Sequence, residues 1–126
     1  MSPELEHNLF AKYPELLGYQ DDSGVYRPRI WGFEHHDGWY TLLDVLCHSI
    51  QKRIESCPQP QVSITQVKEK FGELRFYYSG GDEHIAGAVE FAEHLSSRIC
   101  EECGQPGSKS QIKSWIITRC ELHLPK

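Results

Sequence analysis

The sequence predicts an α+β domain in which helices pack on an antiparallel β-hairpin. Three observations support this prediction. Apolar side chains recur at steps of three and four between Trp39 and Glu55, the pattern of an amphipathic helix. Two segments rich in β-branched and aromatic residues, 61–68 and 73–79, are separated by a short turn at residues 70–72. Two Cys/His pairs near the C-terminus would close a small unit of their own.

The N-terminal part has a weaker pattern. Residues 4–17 carry apolar side chains at helical spacing, but Pro14 should end or kink that helix because proline lacks an N–H donor. Residues 18–36 are rich in glycine, aspartate, proline and aromatic residues. We interpret them as an irregular segment that is held in place by its rings.

The central elements follow in order. Asp37 is a candidate N-cap of the helix over residues 39–55, since its carboxylate can accept the free amides of the first turn. Asp82 should cap a further helix that runs to about Cys100. Residues 105–110 are predicted to be a polar loop, and residues 113–118 a strand.

The two C-terminal pairs are Cys100 with Cys103 and Cys120 with His123, separated by sixteen residues. This spacing is typical of paired zinc hooks. Three thiolates and one imidazole would fill all four positions around Zn²⁺ and leave no position for water, which favours a structural ion over a catalytic one. The sequence therefore predicts one structural Zn²⁺ per chain in a zinc-ribbon or treble-clef-like unit. The alternative, a redox C-x-x-C, normally lies at a helix N-terminus, whereas this pair follows a helix.

Length and composition set the outer bounds. A chain of 126 residues predicts one domain, 1–126, with a zinc-stapled C-terminal subdomain over 96–126. Thirteen basic and eighteen acidic residues argue against broad, charge-driven nucleic-acid binding. The first residues lack a secretory pattern and no long apolar run is present, so we expect no membrane partner and a cytoplasmic location. Five cysteines without an export signal favour metal binding over disulfides.

Two further clusters could carry function. Glu34, His35, His36 and Asp37 could be part of a second, open metal site in a metal-dependent hydrolase, or simply a polar loop with a helix cap. Basic and aromatic side chains on the hairpin could hold a phosphate and stack a base, or form a solvated face with cross-strand ion pairs. These hairpin residues are Lys68, Lys70, Arg75 and Tyr77.

Other signals of catalysis are weak. The sequence contains neither a phosphate-binding glycine loop nor a nucleophile–base pattern, so we assign no catalytic residue and expect a protein that is not an enzyme. The three tryptophans, Trp31, Trp39 and Trp115, are interpreted as core residues or as walls of a site. Cys47 lies on a mostly apolar helix and is interpreted as a small core residue.

Three sequence blocks in this order resemble a family of small, mostly uncharacterised zinc-binding phage and prophage proteins. The first block is Gly38-Trp39-Tyr40-Thr41-Leu42-Leu43 with Leu46-Cys47 and Ile50, the second runs from Val67 to Tyr77, and the third comprises the two C-terminal pairs. Relatives often read Gly-Phe-Glu-Cys-Gly-Asp before the first block, where this chain has His35 in place of the cysteine.

The resemblance implies a phage-encoded accessory protein in the cytoplasm of a bacterial host, and it implies no enzymatic activity. We expect a zinc-stapled module that binds a host protein, such as a component of bacterial defence (an anti-defence role). The alternative is a nucleotide- or nucleic-acid-binding protein that sequesters or regulates its ligand. The oligomeric state does not follow from the sequence.

Overall fold

A computed structural model describes residues 1–30 and 32–125, so the prediction for Trp31 lies outside the described residues. The fold is a mixture of helices and small sheets. Its helices are α1 (Pro3–Lys12), α2 (Pro14–Leu17), α3 (Tyr40–Ser56) and α4 (Glu83–Ser96). Its strands are β1 (Gly18–Gln20), β2 (Tyr26–Pro28), β3 (Phe33–Glu34), β4 (Ser63–Lys70), β5 (Glu73–Ser79), β6 (Ser108–Ile112) and β7 (Trp115–Arg119). The α+β prediction is confirmed at the level of helices combined with small, mainly antiparallel sheets.

The N-terminal segment is more regular than expected. Pro14 ends α1 after Lys12 and starts α2, as its missing N–H predicts. Residues 18–28, predicted to be irregular, instead form an antiparallel hairpin of β1 and β2. Asp21 orders the connecting loop, because its carboxylate accepts bonds from the amides of Ser23 and Val25 and from the Arg27 guanidinium.

The central sheet has the strand order β3-β4-β5. Strands β4 and β5 form the predicted antiparallel hairpin, although β4 begins and ends two residues later than the predicted 61–68. Phe71 and Gly72 form its two-residue turn, and both have positive φ (55° and 78°), as a type I′ turn requires. The short strand β3 adds in parallel to the other side of β4. The inward side chains of the hairpin are Ile64, Val67, Leu74 and Phe76.

Helices α3 and α4 complete the core. Asp82 caps α4 as predicted, accepting a bond of 3.0 Å from the Ile85 amide, but α4 ends at Ser96 instead of Cys100. Helix α4 also protects the free edge of β5, since the Glu93 carboxylate accepts from the Phe76 amide at 2.9 Å. The buried side chains of α3 are Leu43, Leu46, Cys47, Ile50 and Ile54.

The start of α3 differs from the prediction. A 3₁₀ turn over Asp37–Trp39 precedes the helix, and the Asp37 side chain caps none of its amides. Its carboxylate instead accepts a hydrogen bond of 2.7 Å from the backbone amide of Ser2. The predicted cap at Asp37 is therefore wrong, because a distant amide takes the carboxylate.

The C-terminal part is a hairpin between the two Cys/His pairs. Strand β7 begins and ends close to the predicted strand over 113–118. Strand β6 falls partly where a polar loop was predicted, and it pairs with β7 over five residues. This hairpin returns the chain from the first pair to the second.

Candidate metal centre

The four predicted ligands converge at the C-terminal end of the fold. Cys100 and Cys103 lie in the turn that follows α4, while Cys120 and His123 follow β7 in a short 3₁₀ segment. One ligand atom from each of the four lies within 4.8 Å of all the others. Within residues 1–30 and 32–125, this is the one group of three or more such side chains that could hold a metal ion.

Three separations between donor atoms are close to those expected around a tetrahedral ion. The distance is 3.7 Å between the Cys103 and Cys120 sulfurs and 3.7 Å between Cys100 Sγ and His123 Nδ1. Cys120 Sγ lies 3.2 Å from the same His123 nitrogen. Zn–S bonds of about 2.3 Å and Zn–N bonds of about 2.0 Å in a tetrahedron place ligand atoms roughly 3.5–3.8 Å apart. The donor set is therefore compatible with a metal site, and all of its cysteines are free thiols in the structure.

Local backbone geometry forms each pair. Gly104 has a φ of 81°, which glycine adopts without strain, and its amide donates to the Cys100 carbonyl at 2.9 Å. The Cys100 amide donates to the Gln105 carbonyl at 2.7 Å, which closes the turn. In the second pair, the His123 amide donates to the Cys120 carbonyl at 3.1 Å. Both turns thus place their two donor side chains on one side of the chain.

Backbone amides also favour the thiolate form of Cys100. Burial by itself would raise the pKa of this thiol, but amide N–H groups of Cys120, Cys103 and Glu102 donate to the sulfur and lower its pKa to about 6. A thiolate is the form that binds a metal ion. The electrostatics of the turn therefore agree with the geometry of the donor set.

The first pair is docked directly on the start of α3. The Gly38 amide donates to the Glu101 carbonyl at 2.7 Å, and the Trp39 indole N–H donates to the Ile99 carbonyl at 3.0 Å. A Cβ added to Gly38 would lie 2.1 Å from the carbonyl oxygen of Cys100, so only glycine fits there. Trp39 is fully buried, which agrees with its interpretation as a core residue.

The side chains of Glu34, His35, His36 and Asp37, here called the acidic–histidine segment, have different surroundings. His35 is buried against the rings of Phe33 and Trp39, and its Nδ1 donates to the backbone carbonyl of His36 at 2.7 Å. Burial lowers the pKa of His35 to about 4. The four side chains do not surround a common point in the described residues.

His36, the second histidine of the segment, has partners of its own. His36 lies 3.4 Å from a Glu102 carboxylate oxygen, and the same oxygen lies 3.0 Å from Arg119. The His36 amide donates to the buried carboxylate of Glu101 at 3.0 Å, and burial raises the pKa of that carboxyl. This acidic–histidine segment therefore connects β3 to the turn of the metal centre.

The predicted basic residues of the hairpin do share a surface. Lys68 and Arg75 lie directly opposite each other on β4 and β5, so their side chains leave the same outer face. The Lys68 ammonium lies 5.8 Å from the centre of the Tyr77 ring. Glu34 on β3 lies in register with Lys68 on β4, so its carboxylate lies on the same face. Lys70 lies at the end of β4, next to the turn.

Sequence reasoning missed one cleft. It lies between the β4–β5 turn and the β6–β7 hairpin and has a volume of about 350 Å³. Its lining residues are Glu69, Lys70, Phe71, Ser114, Trp115 and Ile116. Phe71 was the sequence signal that could have indicated this cleft, because its turn position usually holds asparagine or glycine.

The remaining cysteines are outside the metal centre. Cys47 is fully buried in the core, which confirms its interpretation, and burial raises its pKa to about 12. Cys57 is partly exposed at the end of α3. Neither thiol belongs to the cluster of four donors.

Comparison of the chain with protein-family models, with curated proteins and with solved structures gives no match. In the described part of the chain, no helix has the length and apolar character needed to cross a membrane. The chemistry of the side chains is therefore the basis for assigning a function.

Proposed function

We propose that this protein is a non-enzymatic binding module whose C-terminal part is stapled by one structural Zn²⁺. Cys100, Cys103, Cys120 and His123 would hold the ion in a zinc-ribbon or treble-clef-like unit. The convergence of these four donor atoms within 4.8 Å is the observation that carries the proposal. A bound Zn²⁺ would supply folding free energy and no reactive position, since the protein fills all four sites.

Metal analysis tests this role. Purified, untagged protein should contain one zinc per chain, and Cys103→Ser should reduce that content. Cys57→Ser is the matched control, because Cys57 lies outside the cluster. Protein without bound metal, or zinc retained in full by Cys103→Ser, would contradict the proposal.

The partner proposed from the sequence resemblance is a protein of a bacterial host, acting in host defence, with the module in the host cytoplasm. The metal-stapled unit would then present a fixed surface to that protein. Wild-type protein added to bacterial lysate should recover one stoichiometric host protein repeatedly, and zinc-free Cys103→Ser protein should not. Repeated recovery of no such partner would count against this assignment.

A nucleotide or nucleic acid is the second candidate ligand. It is favoured by the shared outer face of Lys68, Arg75 and Tyr77, with Lys70 beside it. Phosphate contacts are strongest at low salt, so a thermal-shift screen against nucleotides and single strands should be made there. Absence of any shift at low salt would remove this candidate.

We do not extend the proposal to a metal-dependent hydrolase. That activity would need Glu34, His35, His36 and Asp37 around a second ion, whereas His35 is in the core and the Asp37 carboxylate binds the Ser2 amide. A measured content of two zinc ions per chain would be the reason to reconsider it.

A further inference from the structure

The turns of the β4–β5 and β6–β7 hairpins share an unusual backbone feature. Phe71 has a φ of 55° and Lys113 a φ of 58°, and in residues 1–30 and 32–125 they are the only residues other than glycine with positive φ. Side chains with a Cβ are disfavoured in this conformation, and asparagine or glycine occupies it at lower free energy. Both turns therefore keep a residue that costs the fold stability.

Packing of the Phe71 side chain inside the protein does not offset this loss of stability. The Phe71 side chain is 60% exposed, so its ring buries little apolar surface within the chain. Backbone strain that packing leaves uncompensated is a signal of function at that position. The exposed Phe71 ring is therefore accessible for a contact outside the chain.

The two turns meet at the cleft that sequence reasoning missed. Phe71 lines one side and Trp115, which is 71% exposed, lines the other. Ser114 lines the same cleft and directly follows Lys113. Two accessible aromatic residues at one open cleft of about 350 Å³ form a surface on which a flat ring could stack.

The charged side chains at this end are two lysines, Lys70 in the lining of the cleft and Lys113 in the adjoining turn, and one lining carboxylate, Glu69. The Lys70 ammonium lies 5.5 Å from the centre of the Phe71 ring, and neither Lys70 nor Lys113 lies within 4 Å of a carboxylate in the described part of the chain. The two carboxylates nearby accept hydrogen bonds, that of Glu73 from a cation and that of Glu69 from a neutral amide. Glu69 accepts from the Gly72 amide at 2.8 Å, and Glu73 accepts from the Lys109 ammonium at 2.7 Å.

We propose that the cleft between Phe71 and Trp115 binds a nucleobase that carries a phosphate, with the base on the aromatic rings and the phosphate at Lys70 and Lys113. The inference rests on the proposed role as a binding module and adds a ligand site that is separate from the proposed host-protein partner. Stacking on aromatic side chains tolerates any base, and lysines beside the rings neutralise the backbone charge. An acidic peptide would use the lysines but would leave the two rings without a complementary surface.

The test is fluorescence anisotropy with a labelled twelve-nucleotide single strand, and competition by unlabelled mononucleotides, at 50 mM and 200 mM salt. Trp115→Ala and Phe71→Asn should each weaken binding by at least about fivefold, since each stacked base contributes substantially. Lys70→Ala and Lys113→Ala should each reduce the slope of log affinity against log salt by about one. Phe91→Ala is the matched control, because Phe91 is 69% exposed on α4, and it should bind like the wild type.

Phe71→Asn also separates binding from folding. Because asparagine relieves the strained turn, its melting temperature should rise by about 3–6 °C while affinity falls. Loss of affinity therefore cannot be attributed to unfolding. Unchanged affinity in both Phe71→Asn and Trp115→Ala would overturn the assignment of the site.

The two arms identify the source of the ligand. Competition by mononucleotides would indicate a free nucleotide, and binding of the strand alone would indicate single-stranded nucleic acid; either supports the proposal. Absence of binding in both arms at 50 mM salt overturns it but leaves the metal content and host-protein capture unaffected. If instead Phe71→Asn and Trp115→Ala abolish capture of a host protein and no strand binds, the cleft is a protein site and the nucleotide proposal is wrong.

Discussion

The hydroxyl group of Thr118 donates a hydrogen bond of 2.6 Å to the backbone carbonyl oxygen of Gly72 inside the core. Thr118 is fully buried on β7, and its own carbonyl accepts from the Glu101 amide at 3.0 Å. One residue therefore connects the central hairpin, the C-terminal hairpin and the first metal-binding turn. The candidate metal centre is fastened to the core through buried polar contacts.

Removal of this hydroxyl should destabilise the protein measurably. Thr118→Val keeps the shape of the side chain but leaves the buried Gly72 carbonyl without its donor. We expect a loss of about 1–3 kcal/mol in the free energy of unfolding, measured by urea denaturation of the zinc-loaded protein. Thr118→Ser retains the hydroxyl and should lose clearly less. A larger loss in Thr118→Ser than in Thr118→Val would show that packing of the methyl group, and not the hydrogen bond, is the main contribution.

Two glycine substitutions should have opposite effects on stability. Gly38→Ala would place a Cβ 2.1 Å from the Cys100 carbonyl, so the metal-binding turn must move away from α3. We expect a loss of more than about 3 kcal/mol together with weaker zinc binding.

The matched control is Gly87→Ala in the middle of α4. A Cβ at Gly87 meets nothing within 4 Å, and alanine is favoured over glycine in a helix by about 1 kcal/mol. This variant should therefore melt at a higher temperature than the wild type. A stable, fully zinc-loaded Gly38→Ala protein would contradict the described docking of the turn.

Protonation of His35 should destabilise the protein in mild acid. Burial lowers the pKa of His35 to about 4, below the value of about 6.5 expected in the unfolded chain. The unfolded state therefore binds the proton more readily, and the stability present above pH 6.5 is lost as the pH falls towards 4. The loss attributable to this residue is about 3 kcal/mol.

His35→Leu isolates that contribution. Release of metal at low pH affects both proteins, so the difference between their unfolding free energies reports His35 alone. The wild type should lose stability relative to His35→Leu between pH 6.5 and 4. An NMR titration that places the midpoint of the His35 ring near pH 6.5 would disprove the prediction.

Chelation should loosen the C-terminal part first. Without a metal ion, the three thiols and His123 lose their common partner, while the core of α3 and the central hairpin remains packed. Amide exchange in residues 96–125 should accelerate by at least about 100-fold, with much smaller changes at Leu43 and Leu46. Uniform acceleration along the chain would instead mean that the metal stabilises the whole domain as one cooperative unit. Exchange in residues 96–125 that is unchanged by chelation would rule out a stapling role.

Elements with a strong local signal could be predicted from the sequence. The spacing of the four ligands predicted the donor cluster. Two residues between the members of each pair form a short turn, and this spacing is common to many kinds of zinc site. The apolar periodicity of α3 and the cap at Asp82 depend on neighbours within one or two helical turns. The β4–β5 hairpin is equally local, since two residues form its turn.

Elements whose partners are distant in sequence could not be predicted. Strand β3 is only two residues long and depends on parallel pairing with β4, which lies more than thirty residues further along the chain. Strand β6 reads Ser108-Lys109-Ser110-Gln111-Ile112, without the apolar alternation that marks a strand. Asp37 was assigned to the helix that follows it, whereas the Ser2 amide binds its carboxylate. The cleft at Phe71 and Trp115 requires two hairpins that only tertiary packing brings side by side.

The hydrogen bond from the Trp39 indole to the Ile99 carbonyl links the position of one buried ring to the turn that carries Cys100 and Cys103. Thermodynamic linkage is reciprocal. If a bound metal ion stabilises the ordered position of Trp39 by some factor, the ordered tryptophan raises the affinity for the ion by the same factor. A substitution that displaces the Trp39 ring should therefore appear as an increased metal dissociation constant. A metal titration would then report packing defects around this tryptophan.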